Sequence, residues 1–271
     1  MAGCGITTPE ATKRLVTTET EWVYEPFTDW TPVIGLDTVK AVLKRKSTSI
    51  QGSGNMKFKV VAQYAKVRAD NPEPWETPSG VSEYSDDGDS CTGEITLGTS
   101  AENAFFVRFG VGYKLDGMPT PPTLGQSDVA LQVSYNACGR MVGGRTLQLQ
   151  ADSDKDRFHP VTGWVPAISV NKVKAAIIMT ADSGGTIQCR LTYRTADAIT
   201  EETGGWDTSL DSWHKPSSGS NWEGNTGEIP GTGFSIDSKM WIQFGIRYAL
   251  EMSSTTFSYA TVSTAVAVRS Q

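Results

Sequence analysis

The sequence predicts an all-β protein: two tandem copies of one antiparallel β-sandwich of jelly-roll type. Three observations carry that expectation. Blocks of sequence recur about 134 residues apart, the blocks alternate apolar and polar residues, and turn-forming clusters separate them. The chain has 271 residues, 38% hydrophobic, 20% charged and 9% aromatic. That is ordinary for a folded domain and too apolar for a disordered one. At roughly 100–150 residues per domain, the length itself points to two domains.

The repeat is read block by block. Trp30-Thr-Pro-Val-Ile-Gly-Leu-Asp-Thr-Val-Lys-Ala41 matches Trp164-Val-Pro-Ala-Ile-Ser-Val-Asn-Lys-Val-Lys-Ala175 at an offset of 134 without a gap. Phe58 to Tyr64 is set against Ile187 to Tyr193, which aligns the two tyrosines. Trp75-Glu-Thr matches Trp206-Asp-Thr, and Phe106 to Leu115 matches Trp241 to Leu250. Four blocks in one order divide the chain into an N-terminal arm (1–21), a first repeat (22–140) and a second (141–271). The period is too long for a solenoid unit, so each copy is expected to fold as a domain.

Within the blocks the apolar residues fall at every second position, as in Phe109-Gly-Val-Gly-Tyr-Lys-Leu115, Ile242-Gln-Phe-Gly-Ile-Arg-Tyr248 and Thr264-Ala-Val-Ala-Val-Arg269. Period 2 with one polar face describes half-buried antiparallel strands. Asp70-Asn-Pro-Glu-Pro, Pro78-Ser-Gly, Ser217-Ser-Gly-Ser-Asn and Pro230-Gly-Thr-Gly supply the turns. Val39 to Lys46 holds helix-friendly residues, but its counterpart Val173 to Thr180 is rich in Ile and Val, so both read as strands. Gly110 and Gly245 sit mid-strand at equivalent positions and mark a bulge or a close backbone approach. Ala11 to Val16 reads as one short helical turn. The polar, threonine-rich segment around it is either a frayed terminus or an arm lying on a neighbouring subunit, with Leu15 and Trp22 needing cover.

Several functional classes find no support. The net charge of −6 argues against nucleic acid as a partner. No apolar run approaches the roughly 18 residues of a membrane helix, and no secretory signal is expected in MAGCGITTPEATKR. Cys4, Cys91, Cys138 and Cys189 form no CxxC pair, so a zinc site is not expected, and the thiols read as reduced. Only two histidines, His159 and His214, are present, in different parts of the second copy. With no GxSxG, HExxH or Walker motif, no catalytic residue, cofactor or metal site is expected. Two carboxylates alone would serve a glycosidase, and the sequence cannot select such a pair. Asp86-Asp-Gly-Asp89 superficially resembles a calcium loop but reads as a solvated turn. Asp152-Ser-Asp-Lys-Asp156 reads as a charged linker.

The aromatic residues give the sharper candidates. Trp30/Trp164, Trp75/Trp206 and Phe106/Trp241 recur in both copies and read as structural. Trp213 and Trp222 lie in a polar loop of the second copy, where the first holds Tyr84. Such loop aromatics either contact a sugar face or a protein partner, or are packed away by a loop that folds back. The candidate contacts are therefore Trp206, Trp213, Trp222, Tyr84, Leu15 and Trp22.

The layout, with its short polar arm and duplicated Gly-, Thr- and Ser-rich β-units carried by Trp30-Thr-Pro, Phe109-Gly-Val-Gly-Tyr113 and Phe244-Gly-Ile-Arg-Tyr248, resembles accessory virion proteins of tailed bacteriophages, of the capsid decoration or cement type. That resemblance implies a non-enzymatic protein, assembled in the host cytoplasm, that binds and stabilises the capsid lattice or another virion joint. It implies a major coat protein or other virion proteins as partners, and a homo-oligomer, often a trimer. The alternative is a carbohydrate-binding or host-attachment β-sandwich, with Trp206, Trp213, Trp222 and Tyr84 stacking on sugar rings.

Overall fold

A computed structural model of the chain describes residues 6–34, 36, 38–51, 54–84, 90–97, 99–116, 124–135, 139–152, 154–183, 186–198, 205–206, 210–216, 221–230, 239–251 and 257–269. The chain divides into two compact units, Met1–Ala137 and Cys138–Gln271. Each is an antiparallel sandwich, and β-strands dominate both.

Among the described residues the first unit has nine strands: β1 (Ile6–Thr7), β2 (Ala11–Thr17), β3 (Val23–Pro26), β4 (Thr31–Pro32), β5 (Thr38–Gln51), β6 (Asn55–Ala65), β7 (Ser90–Thr96), β8 (Phe106–Asp116) and β9 (Leu124–Tyr135). In one sheet β9 lies between β5 and the β1/β2 pair, with β7 outside β5. In the other, β8 lies between β6 and the β3/β4 pair. One helical turn, α1 (Thr99–Glu102), precedes β8.

The second unit repeats this plan with one edge strand divided in two. It comprises β10 (Gly139–Gly143), β11 (Thr146–Ala151), β12 (Arg157–Pro160), β13 (Val165–Pro166), β14 (Lys172–Ser183), β15 (Ile187–Ala196), β16 (Trp222–Asn225), β17 (Ile229–Pro230), β18 (Trp241–Leu250) and β19 (Ser258–Arg269). Here β19 lies between β14 and β10/β11, and β18 between β15 and β12/β13. β16 and β17 together take the edge that β7 holds in the first unit.

The alternation read from the sequence becomes the two cores. Phe58, Val60, Ala62 and Tyr64 of β6 point inward, as do Val107, Phe109, Val111, Tyr113 and Leu115 of β8. Cys189, Leu191 and Tyr193 of β15 and Ile242, Phe244, Ile246, Tyr248 and Leu250 of β18 do the same in the second unit. Each buried Val, Leu, Ile or Phe among them contributes about 1.5–3 kcal/mol by leaving water.

Three expectations are corrected. Residues 11–17 form a strand, not a helical turn: they pair with β9 from Ala11 opposite Leu131 to Thr17 opposite Gly125. The alternation of Leu15 and Thr17 inward with exposed neighbours suits a sheet face, and β-branched Thr12, Val16 and Thr17 favour it. For the same reason 1–21 is not an arm outside the repeat. β1 and β2 belong to the first unit's own sheet, as β10 and β11 do in the second, and Leu15 is a core residue. The third correction is register. Ala65 lies opposite Phe106 and Ala196 opposite Trp241, so the β6 and β15 blocks align two residues away from the sequence match. Phe58 therefore corresponds to Cys189, and Ala62, not Tyr64, corresponds to Tyr193.

Candidate functional site

The inward residues of β6 and β8 leave the alternate positions facing outward, and on this outer face the first unit lays cations under aromatic rings. The Arg108 guanidinium of β8 lies 4.6 Å from the Trp30 ring centroid and 5.3 Å from that of Trp75. Its Nε and Nη2 donate to Gln63 Oε1 at 2.8 and 2.6 Å. Gln63 is buried on the facing strand, and its Nε2 donates to the Glu73 carbonyl at 2.9 Å. Tyr24 stacks on Trp75 at 6.2 Å.

The second unit builds the same object with the strands exchanged. Arg194 lies on β15, the counterpart of β6, and Gln243 on β18, the counterpart of β8. The Arg194 guanidinium sits 5.2 Å from Trp164 and 4.8 Å from Trp206. Its Nε donates to Gln243 Oε1 at 2.8 Å, and Gln243 Nε2 donates to the Thr162 carbonyl at 2.9 Å. Phe158, at the Tyr24 position, stacks on Trp206 at 6.0 Å. The arginine and glutamine have changed places across the strand pair, and the guanidinium still lies between the same two tryptophans. Burial pushes both guanidinium pKa values down, and the ring faces and carboxamide oxygen offset that cost.

The mid-strand glycines exist for this layer. A Cβ on Gly110 would come within 2.8 Å of the Trp75 ring, and one on Gly245 within 2.7 Å of the His159 carbonyl oxygen, while also striking Trp206. Close approach, not a bulge, is the reason for glycine here.

A second cation–aromatic contact recurs with different residues. Trp22 covers Lys59 at 4.0 Å and Lys114 at 4.8 Å. Trp213 covers Arg190 at 4.2 Å and Arg247 at 5.6 Å. Arg190 and Arg247 lie directly opposite each other on β15 and β18, a like-charge pairing that destabilises a sheet unless compensated. Asp156 pairs with Arg247, and the Trp213 face covers both guanidinium groups. Burial first, and Arg247 second, lower the Arg190 pKa.

The structure thus places each candidate contact. Leu15 is buried in the first core. Trp22, Trp206 and Trp213 are half-buried over the outer sheets, each with a ring face against a cation or ring. Tyr84 is half-buried and packs on the first core, its backbone bonded both ways to Phe58 at 2.8 Å. His214 makes the equivalent bridge to Cys189. Trp222, on β16, stacks on His214 at 4.3 Å and packs on the second core. His214 Nε2 is 2.6 Å from Asp211 Oδ2, while Asp211 Oδ1 accepts from Leu191 N at 2.7 Å. This clamp holds the loop against β15. Of the two readings open for Trp213 and Trp222, exposed contact or folded-back packing, the structure therefore shows the second, and the six candidates form no single platform within either unit.

The remaining sequence candidates also have places. His159 stacks on Tyr248 at 5.6 Å. Burial, and then the Asp211 carboxylate, push the Cys189 thiol pKa up. Asp152 and Asp156 pair with Arg157 and Arg247, and Asp86 to Asp89 lie outside the described residues. Among the described residues no three His, Cys, Asp or Glu side chains are grouped to hold a metal.

No family model and no curated protein matches this sequence. Among solved structures, the PBSX exported protein XepA aligns over 98% of this chain and 87% of its own, at 11% identity and a TM-score of 0.29. A structure of infectious bursal disease virus, Gt strain, aligns over 98% of this chain and 71% of its own, at 10% identity and a TM-score of 0.36. The tandem CBM22 domains of Paenibacillus barcinonensis Xyn10C align over 98% and 93%, at 8% identity and 0.30. At TM-scores this low, these likenesses carry no argument about function.

Two features escaped the sequence reading. The guanidinium layer is hidden by the Arg–Gln exchange, since Arg108 aligns with Gln243 and Gln63 with Arg194. A signal was nonetheless present: each arginine occupies an outward strand position with a glutamine on the neighbouring strand. The other is an apolar pair at one end of the second unit. Ile168 is 90% exposed and Met240 63% exposed, whereas their counterparts Ile34 and Phe105 are both 0% exposed. Ala167 N donates to the Met240 carbonyl at 2.9 Å, which keeps the two residues together.

Proposed function

We propose that the chain is a non-enzymatic structural protein of a phage-like particle, bound to the capsid lattice or another virion joint. The observation that carries this reading is the exposed Ile168–Met240 pair. Exposed isoleucine beside exposed methionine is a feature of protein-binding surfaces. The same positions in the first unit accommodate apolar side chains wholly out of water, so this end of the sandwich suits burial. The cation–aromatic layers support the reading in a second way. They hold most candidate aromatics in stacks within the sandwiches, which suits rigid scaffolding better than a sugar platform. Binding across neighbouring coat subunits would stabilise the particle by linkage.

The test is sedimentation of a native source lysate through a density gradient, following this chain by mass spectrometry. The chain should travel with a megadalton particle and its major coat protein. If it stays with small soluble species, the reading fails, and glycan-array binding with Trp213→Ala and Trp222→Ala becomes the measurement of interest.

A further inference from the structure

On the outer face of the second unit, Arg190 of β15 lies directly opposite Arg247 of β18. The Arg247 guanidinium has a carboxylate of its own, Asp156. Arg190 has none: among the described residues no carboxylate lies within ion-pair distance of it. The Trp213 ring covers its guanidinium at 4.2 Å. Arg190 Nε is buried and makes no hydrogen bond among the described residues. A buried donor without an acceptor is uncommon in a native protein, and one on a charged group is the costlier kind.

The fold does not demand this arrangement. By the strand registers, Lys59 corresponds to Arg190 and Gly112 to Arg247, and these two lie opposite each other in the first unit. The second unit thus adds a cation where its twin has glycine. Like charges directly opposite on neighbouring strands weaken a sheet, and here one carboxylate answers two guanidinium groups. Asp211 also acts on Arg190 at longer range, but its oxygens are engaged by Leu191 N and His214.

We propose that Arg190, with Arg247 beside it, is a binding site for a carboxylate. The guanidinium edge that carries Nε and one Nη matches the two oxygens of that group. Arg247 adds a second positive charge, and the Trp213 ring supplies an apolar wall. A sulfate or phosphate dianion fits less well, because Asp156 and Asp211 stand within electrostatic range and oppose its second charge. The carboxylate arrives either on a small molecule or on a glutamate or aspartate side chain of another protein. This inference does not rest on the particle reading, and its failure would leave that reading standing.

The test titrates the isotope-labelled full chain at constant ionic strength with propionate, with the peptide acetyl-Gly-Glu-Gly-amide, with its glutamine analogue and with sulfate. Binding is followed by the Nε–H resonance of Arg190. It is followed also by Trp213 emission, taken as the difference between wild type and Trp213→Phe, because that ring covers the guanidinium. Propionate should move the Arg190 resonance saturably. The glutamine peptide and sulfate should each bind at least about 10-fold more weakly than the glutamate peptide. A glutamate peptide tighter than propionate supports a protein source, and equal affinity supports a small-molecule source. Arg190→Gln removes the like-charge pairing and should abolish the emission response while the circular dichroism spectrum stays that of wild type. Asp156→Asn removes the competing carboxylate and should tighten binding several-fold, a gain that structural damage would not produce. A resonance that does not saturate, equal binding of the glutamine peptide or of sulfate, or an undiminished response in Arg190→Gln would overturn the proposal.

Discussion

Arg108→Ala is the perturbation with the most structure behind it. It removes two ring contacts, at 4.6 Å to Trp30 and 5.3 Å to Trp75, and both donors to Gln63 Oε1. The ring contacts contribute about 0.5–1 kcal/mol each at a half-exposed site. Gln63 is buried, so an unsatisfied carboxamide oxygen costs about 1–3 kcal/mol more. The expected loss is about 3 kcal/mol, which for a unit of this size lowers its melting temperature by roughly 10 °C. The second unit prescribes the rescue. In the double variant Gln63→Arg with Arg108→Gln, the new arginine would lie where Arg194 lies, between the equivalent tryptophans. The new glutamine would donate to the Thr28 carbonyl as Gln243 does to that of Thr162; Thr28 and Thr162 make matching bonds to Phe109 and Phe244. Urea unfolding of wild type, both single variants and the swap gives the coupling energy. The swap should recover most of the loss. A loss below about 0.5 kcal/mol for Arg108→Ala, or a swap no better than the sum of its parts, would refute the reasoning.

Further outcomes follow from the same geometry. Gly110→Ala and Gly245→Ala should each destabilise their own unit by about 2 kcal/mol or more, because a Cβ meets a tryptophan ring and a carbonyl oxygen; differential scanning calorimetry checks this, and an unchanged trace contradicts it. Ile34→Ser should cost about 3 kcal/mol, while Ile168→Ser in the isolated chain should change stability by less than about 0.5 kcal/mol; equal effects would remove the asymmetry between the units. Burial, with the Glu76 carboxylate as the lesser cause, raises the Tyr64 pKa from 10.0 to about 12. A group with its folded pKa raised holds its full contribution below the unfolded pKa, so stability should fall as pH rises from 10 toward 12, by about 2–3 kcal/mol at most. Tyr64→Phe should abolish that part of the pH dependence, and an unaltered profile would count against it. A thiol reagent at pH 8 should leave Cys189 unmodified in the folded chain, as buried thiols are inert; prompt labelling of its peptide would contradict this.

The fold was largely legible because a duplicated sequence is its own control. Val39 to Lys46 alone reads two ways, but its partner Val173 to Thr180 fits only a strand, and β5 and β14 are both strands. The slip came where side chains of one type invited a wrong match. Aligning Tyr64 with Tyr193 shifts β6 against β15 by two residues, a shift that keeps the inward parity and so leaves the alternation undisturbed. The first strands were missed because Ala11 to Val16 pairs with β9, more than 100 residues away. The candidate contacts were half legible. Composition places Trp213 and Trp222 in a polar stretch, and Trp222 in fact opens β16. Only the pairing of distant strands shows that Arg190 and His214 lie beneath them. The site at Arg190 joins Asp156, Trp213 and Arg247 from three separate segments, and no spacing in the sequence announces it.

The most direct test of the structural reading adds purified chain back to particles stripped of it and counts copies per particle after gradient sedimentation. Wild type should bind at a fixed number of copies. The double variant Ile168→Asp with Met240→Asp, which alters only exposed side chains, should remain at the top of the gradient while unfolding at the wild-type temperature. Equal occupancy by wild type and variant would contradict the claim that this apolar end is what attaches the protein to its particle.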